Sequence, residues 1–276
     1  MDKKIQLFKQ LLEVKRYSIN SIDTYVNAFR QFLLYFKDHD VDVLNAKQIE
    51  QYINLQVTER KISISYQKQL VAAIKFWYIG VLGKKIELNY LYPDRTEFKL
   101  PIVFSQEDIK KMLKACKNIK HLAMISTIYS CGLRLSELIN LKIKDIDSSS
   151  MTVTIRQSKG NRDRVVILSE KLLVTLREYV VKYKPQDYLF EGQSGGKYSE
   201  RSVQQVIKQL LAKAKINIDG SVHTLRHSYA THLIEHGTDI RFVKELLGHK
   251  SIKTTMIYTH LTDANKRKIK SPLDFL

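Results

Sequence analysis

Six of the eight histidines fall between residues 223 and 260: His223, His227, His232, His236, His249 and His260. Among them, His223-Thr-Leu-Arg226 sets a histidine and an arginine three apart, so that on a helix the two side chains share a face. The histidine offers a hydrogen-bond donor or a base. The arginine offers a fixed cation with a planar fork, which suits a pair of phosphate oxygens better than a lysine does. A second arginine, Arg134, stands between Leu133 and Leu135 in the run CGLRLSEL. An arginine at the start of an apolar helix is costly unless paired, and Glu137, three residues on, is the side chain that can hold it.

Other chemistries fit these residues less well. His223 and His227 stand four apart, as zinc ligands on a helix would. The residues between them are Thr, Leu and Arg, with no Glu to act as base, and an arginine there repels a cation. The phosphate-binding loop and Gly-x-Gly-x-x-Gly are both missing from the sequence. A two-metal site needs clustered acids, whereas the candidate cleft is basic.

These residues must be carried by a folded, basic chain. The sequence has 276 residues, 46 Lys and Arg against 28 Asp and Glu, and a net charge of 46 − 28 = +18. Such a balance points to a polyanionic partner, most often nucleic acid. A hydrophobic content of 44% is that of a globular protein. Two cysteines, Cys116 and Cys131, make neither a disulfide framework nor a Cys-x-x-Cys pair, and read as core side chains of a reduced, cytoplasmic protein. The most apolar stretch, 122–133, is broken by Ser126, Thr127 and Ser130 and falls short of the roughly 20 residues of a membrane helix. No signal peptide and no membrane association are expected.

Prolines 93 and 101 bracket a segment without sustained helical period, which predicts a linker over 91–102 between domains 1–90 and 103–276. Both sides are basic: residues 1–100 carry 16 − 11 = +5 and residues 101–276 carry 30 − 17 = +13. The fold class is mainly α. Apolar spacing predicts helices near 3–16, 19–38, 46–57 and 64–82, with Ile22, Tyr25, Phe29, Phe32 and Leu33 as one core stripe. In the fourth segment Lys68, Lys75, Lys84 and Lys85 mix with Trp77 and Tyr78, a pattern that serves either a nucleic-acid face or a core stripe with solvated lysines. Ser105 to Asp108 reads as a capping box with Asp in place of Glu. Helices are predicted near 105–117, 120–131 and 134–141. MTVTIRQ and RVVILS, separated by SKGNRD, then form a β-hairpin. Further helices are predicted near 169–182, 199–214, 221–236, 239–247 and 251–260.

The segment from His223 to His260 resembles the signature of the tyrosine recombinases, the λ-integrase and Xer-like enzymes: His-x-x-Arg, then Leu-Gly-His, then a tyrosine about nine residues on. Here His249 and Tyr258 are nine apart. CGLRLSEL resembles the family's first-arginine motif, and the turn in RQSKGNRDR its catalytic-lysine turn. The match runs in order from about Phe104 to His260, with all six chemical positions of the right type. Residues 1–90 resemble, more weakly, the family's helical SAM-like core-binding domain.

The resemblance implies two domains that clamp double-stranded DNA, a helical one and a mixed, mostly α catalytic one with a small sheet. Tyr258 would be the nucleophile, forming a 3′-phosphotyrosine. Arg134 and Arg226 would neutralise the phosphate. Lys159 would protonate the leaving 5′-oxygen. His223 would assist the tyrosine's proton or bind phosphate, and His249 would hydrogen-bond a phosphate oxygen. Glu137 would hold Arg134. Neither metal nor cofactor is implied. Partners would be an inverted-repeat core site, three further copies of the chain on paired sites and, in some systems, accessory proteins, with the tail 262–276 docking into a neighbour. A type IB topoisomerase shares this chemistry, and a non-catalytic DNA-binding relative shares the fold. His227, His232, His236 and His260 receive only structural readings.

Overall fold

The computed structural model describes residues 1–94, 100–158 and 162–259. Lys159, His260, the tail 262–276 and five residues of the expected linker lie outside them. The chain divides into two compact units, Met1–Phe98 and Lys99–Leu276, each with its own core.

The first unit is a bundle of α1 (Asp2–Val14), α2 (Ile19–Tyr35), α3 (Ala46–Thr58) and α4 (Ile64–Lys75). Polar caps start the last three: Ser18 accepts from the Ser21 amide, Ser63 from the Tyr66 amide, and Asn45 and Gln48 cap each other at 3.0 Å. Ile22, Phe29, Phe32 and Leu33 are buried and Tyr25 packs beside them. The fourth helical segment runs to Val81, close to the predicted 82, but not as α-helix throughout. It widens at Phe76–Val81 into one π-helical turn. There Trp77 and Tyr78 are both buried, tied by hydrogen bonds to Asp42 and to the Val41 carbonyl. Of the two readings of this segment, the core stripe holds for these two rings. They have no free face for a base. Leu88 and Leu91 complete this core.

The second unit opens with α5 (Gln106–Ala115), α6 (Ile119–Cys131) and α7 (Leu135–Asn140). The Ser105–Asp108 capping box is formed in both directions, at 3.1 Å each. Next comes an antiparallel sheet in the order β1 (Ile146–Asp147), β2 (Thr152–Ser158), β3 (Arg162–Ile167). The hairpin is as read from the sequence; β1 is too short to show a period of two. Then follow α8 (Glu170–Tyr183), α9 (Glu200–Lys213), α10 (Val222–Glu235), α11 (Ile240–Leu247) and α12 (Lys253–Met256). The last is much shorter than the predicted 251–260. Thr254, Thr255 and Ile257 are β-branched and favour helix weakly, and the Tyr258 amide turns back early, onto the Thr255 carbonyl. Helix α10 is buried on most sides, between α6 and α11. Both cysteines sit in this unit's core, and burial pushes the Cys131 thiol up to about 12.

Candidate active site

Arg134 heads α7. The chain reaches it through Gly132, which ends α6 in the left-handed region, with φ +58°. A Cβ at Gly132 would stand 2.4 Å from the Tyr229 ring, so conformation and space both require glycine. The Arg134 amide donates to Glu137 Oε2 at 2.8 Å and its Nη1 to Oε1 at 2.6 Å. The pairing expected from the sequence is thus present, and Glu137 caps the helix as well.

Glu137 has a further partner that sequence reasoning missed. Arg164 of β3 donates from Nη1 and Nη2 to the two carboxylate oxygens, each at 2.8 Å. The signal was present in the strand alternation: Arg164 shares its inward face with Val166 and Leu168, and a charge on such a face needs a partner. Burial would raise the Glu137 pKa. The bonds and charge of Arg164, with those of Arg134, overcome this and hold it at about 2. One carboxylate therefore serves two guanidiniums, with a third, Arg226, 3.7 Å away.

Arg226 projects from the middle of α10 and is buried. Its Nη1 donates to the Gly132 carbonyl and its Nη2 to the Leu247 carbonyl, each at 2.5 Å. Arg164 Nε donates to the adjacent Leu246 carbonyl at 2.7 Å. These carbonyls close α6 and α11, so the cations meet the negative ends of two helix dipoles. Burial and the Arg134 charge disfavour the charged form of Arg226, and Glu137 offsets them.

Gly248, with φ +63°, ends α11 and turns the chain to His249. The His249 Nδ1 pairs with Thr255 Oγ1 at 2.9 Å, and its ring lies nearly parallel to that of Tyr258, 6.4 Å between centroids. Arg134, Gly248, His249, Lys250 and Thr254 line a pocket of about 320 Å³, at the small end of the range for ligand sites. Burial and then the charges of Arg226, Arg134 and Arg164 bring His249 down to about 4. His223 is exposed at the start of α10, its pKa lowered by desolvation and by Arg226 and Arg134.

Tyr258 is 1% exposed, its ring packed among Tyr229, Ala230, Ile234, Val243 and Leu247. Burial raises its pKa, opposed by Arg226 and Arg134. Its hydroxyl forms a 2.8 Å hydrogen bond with Nδ1 of His227, one turn along α10 from His223. So Arg134, Glu137, Arg226, His249 and Tyr258 come together with two residues not singled out, Arg164 and His227. Lys159 falls outside the described residues. His232 pairs with the Tyr129 hydroxyl and His236 with the His232 carbonyl, so both have structural partners.

Comparison with known proteins matches residues 103–265 to the phage integrase family and residues 5–88 to the phage integrase N-terminal SAM-like domain. A tyrosine recombinase of Pseudothermotoga lettingae is 31% identical over 277 residues, covering 96% of each chain. The XerH site-specific recombinase bound to its palindromic difH substrate superposes with a TM-score of 0.77 at 23% identity, over 96% of this chain and 83% of that one. A λ integrase tetramer bound to a Holliday junction gives 0.75 at 16% identity, over 98% and 79%.

Proposed function

Because the chain belongs to the phage integrase family of tyrosine recombinases, we propose that Tyr258 cuts DNA by attacking a phosphodiester and holds the strand as a 3′-phosphotyrosine until a second 5′-hydroxyl displaces it. Arg134 and Arg226 neutralise the non-bridging oxygens, a contribution of roughly 10²–10³ in rate for each such donor. Fixed guanidiniums take the role that metal ions play elsewhere. His249 and His223 hydrogen-bond the phosphate. Lys159 protonates the leaving 5′-oxygen, and Glu137 keeps Arg134 in register. The bond energy is retained in the phosphotyrosine, so rejoining needs no nucleotide.

The observation that carries this reading is the pairing of Arg134 and Arg226 on one carboxylate, with Tyr258 stacked beside the His249 that lines the same pocket. Residues 1–90 act as the core-binding domain and 103–276 as the catalytic domain, joined by 91–102. The +5 and +13 charges of the two parts suit contact with a duplex from both. XerH on a palindromic substrate and a λ integrase tetramer on a Holliday junction support a working unit of four chains on two inverted-repeat sites. That unit would act in the cytoplasm, with the tail 262–276 reaching a neighbouring copy. The test is Tyr258→Phe on a nicked suicide substrate. Covalent attachment should vanish while duplex binding is kept, since only a hydroxyl is removed. Attachment at the wild-type yield would overturn the assignment.

A further inference from the structure

The Tyr258 hydroxyl must lose a proton when its oxygen attacks phosphorus, and little water reaches it, because the residue is 1% exposed. Among the described residues its hydroxyl has one hydrogen-bond partner, Nδ1 of His227, at 2.8 Å. His223, by contrast, stands a turn away, its ring 6.4 Å from that of His227, and the Nδ1 of His249 is already paired with Thr255.

We propose, resting on the reading of Tyr258 as nucleophile, that His227 is the catalytic base that takes the tyrosine proton during cleavage and returns it during rejoining. As the bond from Tyr258 Oη to phosphorus forms, the hydroxyl proton passes to His227 Nδ1. The bond from phosphorus to the 5′-oxygen breaks, and that oxygen takes a proton from Lys159. The step leaves His227 as imidazolium and Lys159 neutral, and rejoining reverses both transfers.

Two features suit the ring to this work. It is neutral at physiological pH: burial, followed by His223 and Arg226, lowers it to about 4. A neutral ring with its proton on Nε2 presents a lone pair at Nδ1. The charged and titratable groups that act on it are Arg226 and His223 on α10, with His249 after α11 as a further neighbour, itself under the charges of Arg226, Arg134 and Arg164. An anionic phosphodiester bound among them offsets their charge, so the base strengthens once DNA is in place.

The test compares two reactions. In the first, wild-type protein and His227→Asn form the covalent complex on a suicide substrate. Asparagine keeps a polar atom where Nδ1 was but cannot take the proton, so attachment should slow by roughly 10²–10⁴. In the second, the Tyr258→Phe protein joins a strand ending in a 3′-p-nitrophenyl phosphate to a 5′-hydroxyl strand, with and without His227→Asn. No tyrosine proton moves there, so the rates should match. Equal slowing in both reactions, or attachment within about threefold of wild type, would overturn the proposal. Should His227→Asn fail to fold, His227→Gln serves in the same comparison. The pH–rate profile gives a second readout: an acid limb in the wild type that persists unchanged in the variant would also overturn it. A wild-type protein that forms no adduct on Tyr258 would instead defeat the nucleophile assignment itself.

Discussion

Arg164 and Glu137 meet as a two-pronged ion pair, both guanidinium nitrogens 2.8 Å from the carboxylate, although 27 residues separate them. This pair joins the sheet to the head of α7 and so fixes the carboxylate that orients Arg134. Removing one partner of a buried ion pair costs about 3–5 kcal/mol. Arg164→Met should therefore lose that much in urea unfolding of the full chain. Arg164→Lys, which keeps the charge but not the fork, should lose about half as much and cut strand cleavage further than its lost stability explains. Equal urea midpoints for wild type and Arg164→Lys would show that the fork geometry is unimportant.

The same carboxylate makes folding sensitive to acid. Its pKa falls from the ordinary 4.5 to about 2 in the folded chain. Over that window the unfolded chain binds the proton and the folded one does not, so stability is lost as pH falls from about 4.5 to about 2 and is fully present above 4.5. The difference amounts to roughly 3 kcal/mol. Glu137→Gln should flatten that part of the stability–pH curve, as read by denaturant titration at pH 3 and pH 6. An unchanged slope would rule out Glu137 as its source.

Gly132→Ala should damage both stability and chemistry. The added methyl group meets the Tyr229 ring at 2.4 Å and the backbone stays at φ +58°. Overpacking of this kind costs about 1–3 kcal/mol. Because the Gly132 carbonyl holds Arg226, cleavage should fall more steeply than the loss in melting temperature explains. A variant that melts lower yet cleaves at the wild-type rate would separate the turn from the site.

Lys159→Ala should slow cleavage of ordinary DNA by roughly 10²–10⁴, the usual span for a general acid. A substrate with sulfur at the scissile 5′ position should be cleaved nearly normally by the same variant, since a thiolate leaves without a proton. Equal slowing of both substrates would assign Lys159 to phosphate binding instead.

Much of the site was legible from local spacing. His223 with Arg226 and Arg134 with Glu137 are three apart, a separation that a helix or its cap turns into proximity whatever the rest of the fold does. The ends of most helices were legible for a similar reason: Ser105 caps through its own hydroxyl, and Gly132 and Gly248 end helices through their own left-handed backbone. Helix 251–260 was overextended because its β-branched residues weaken a pattern that spacing alone supports.

Local patterns of residue type sufficed for the helical character, the hairpin, the basic charge and the residue types at the chemical positions. Which of those residues touch depends on how the helices pack. Arg226 reaches the carbonyls of Gly132 and Leu247, 94 and 21 residues away, because α10 lies against the ends of α6 and α11. His227 meets Tyr258 31 residues on because the chain after α11 folds back over α10. No periodicity encodes such contacts. They arise where separate helices bury their apolar faces against one another, and that packing brings the polar side chains at their ends together.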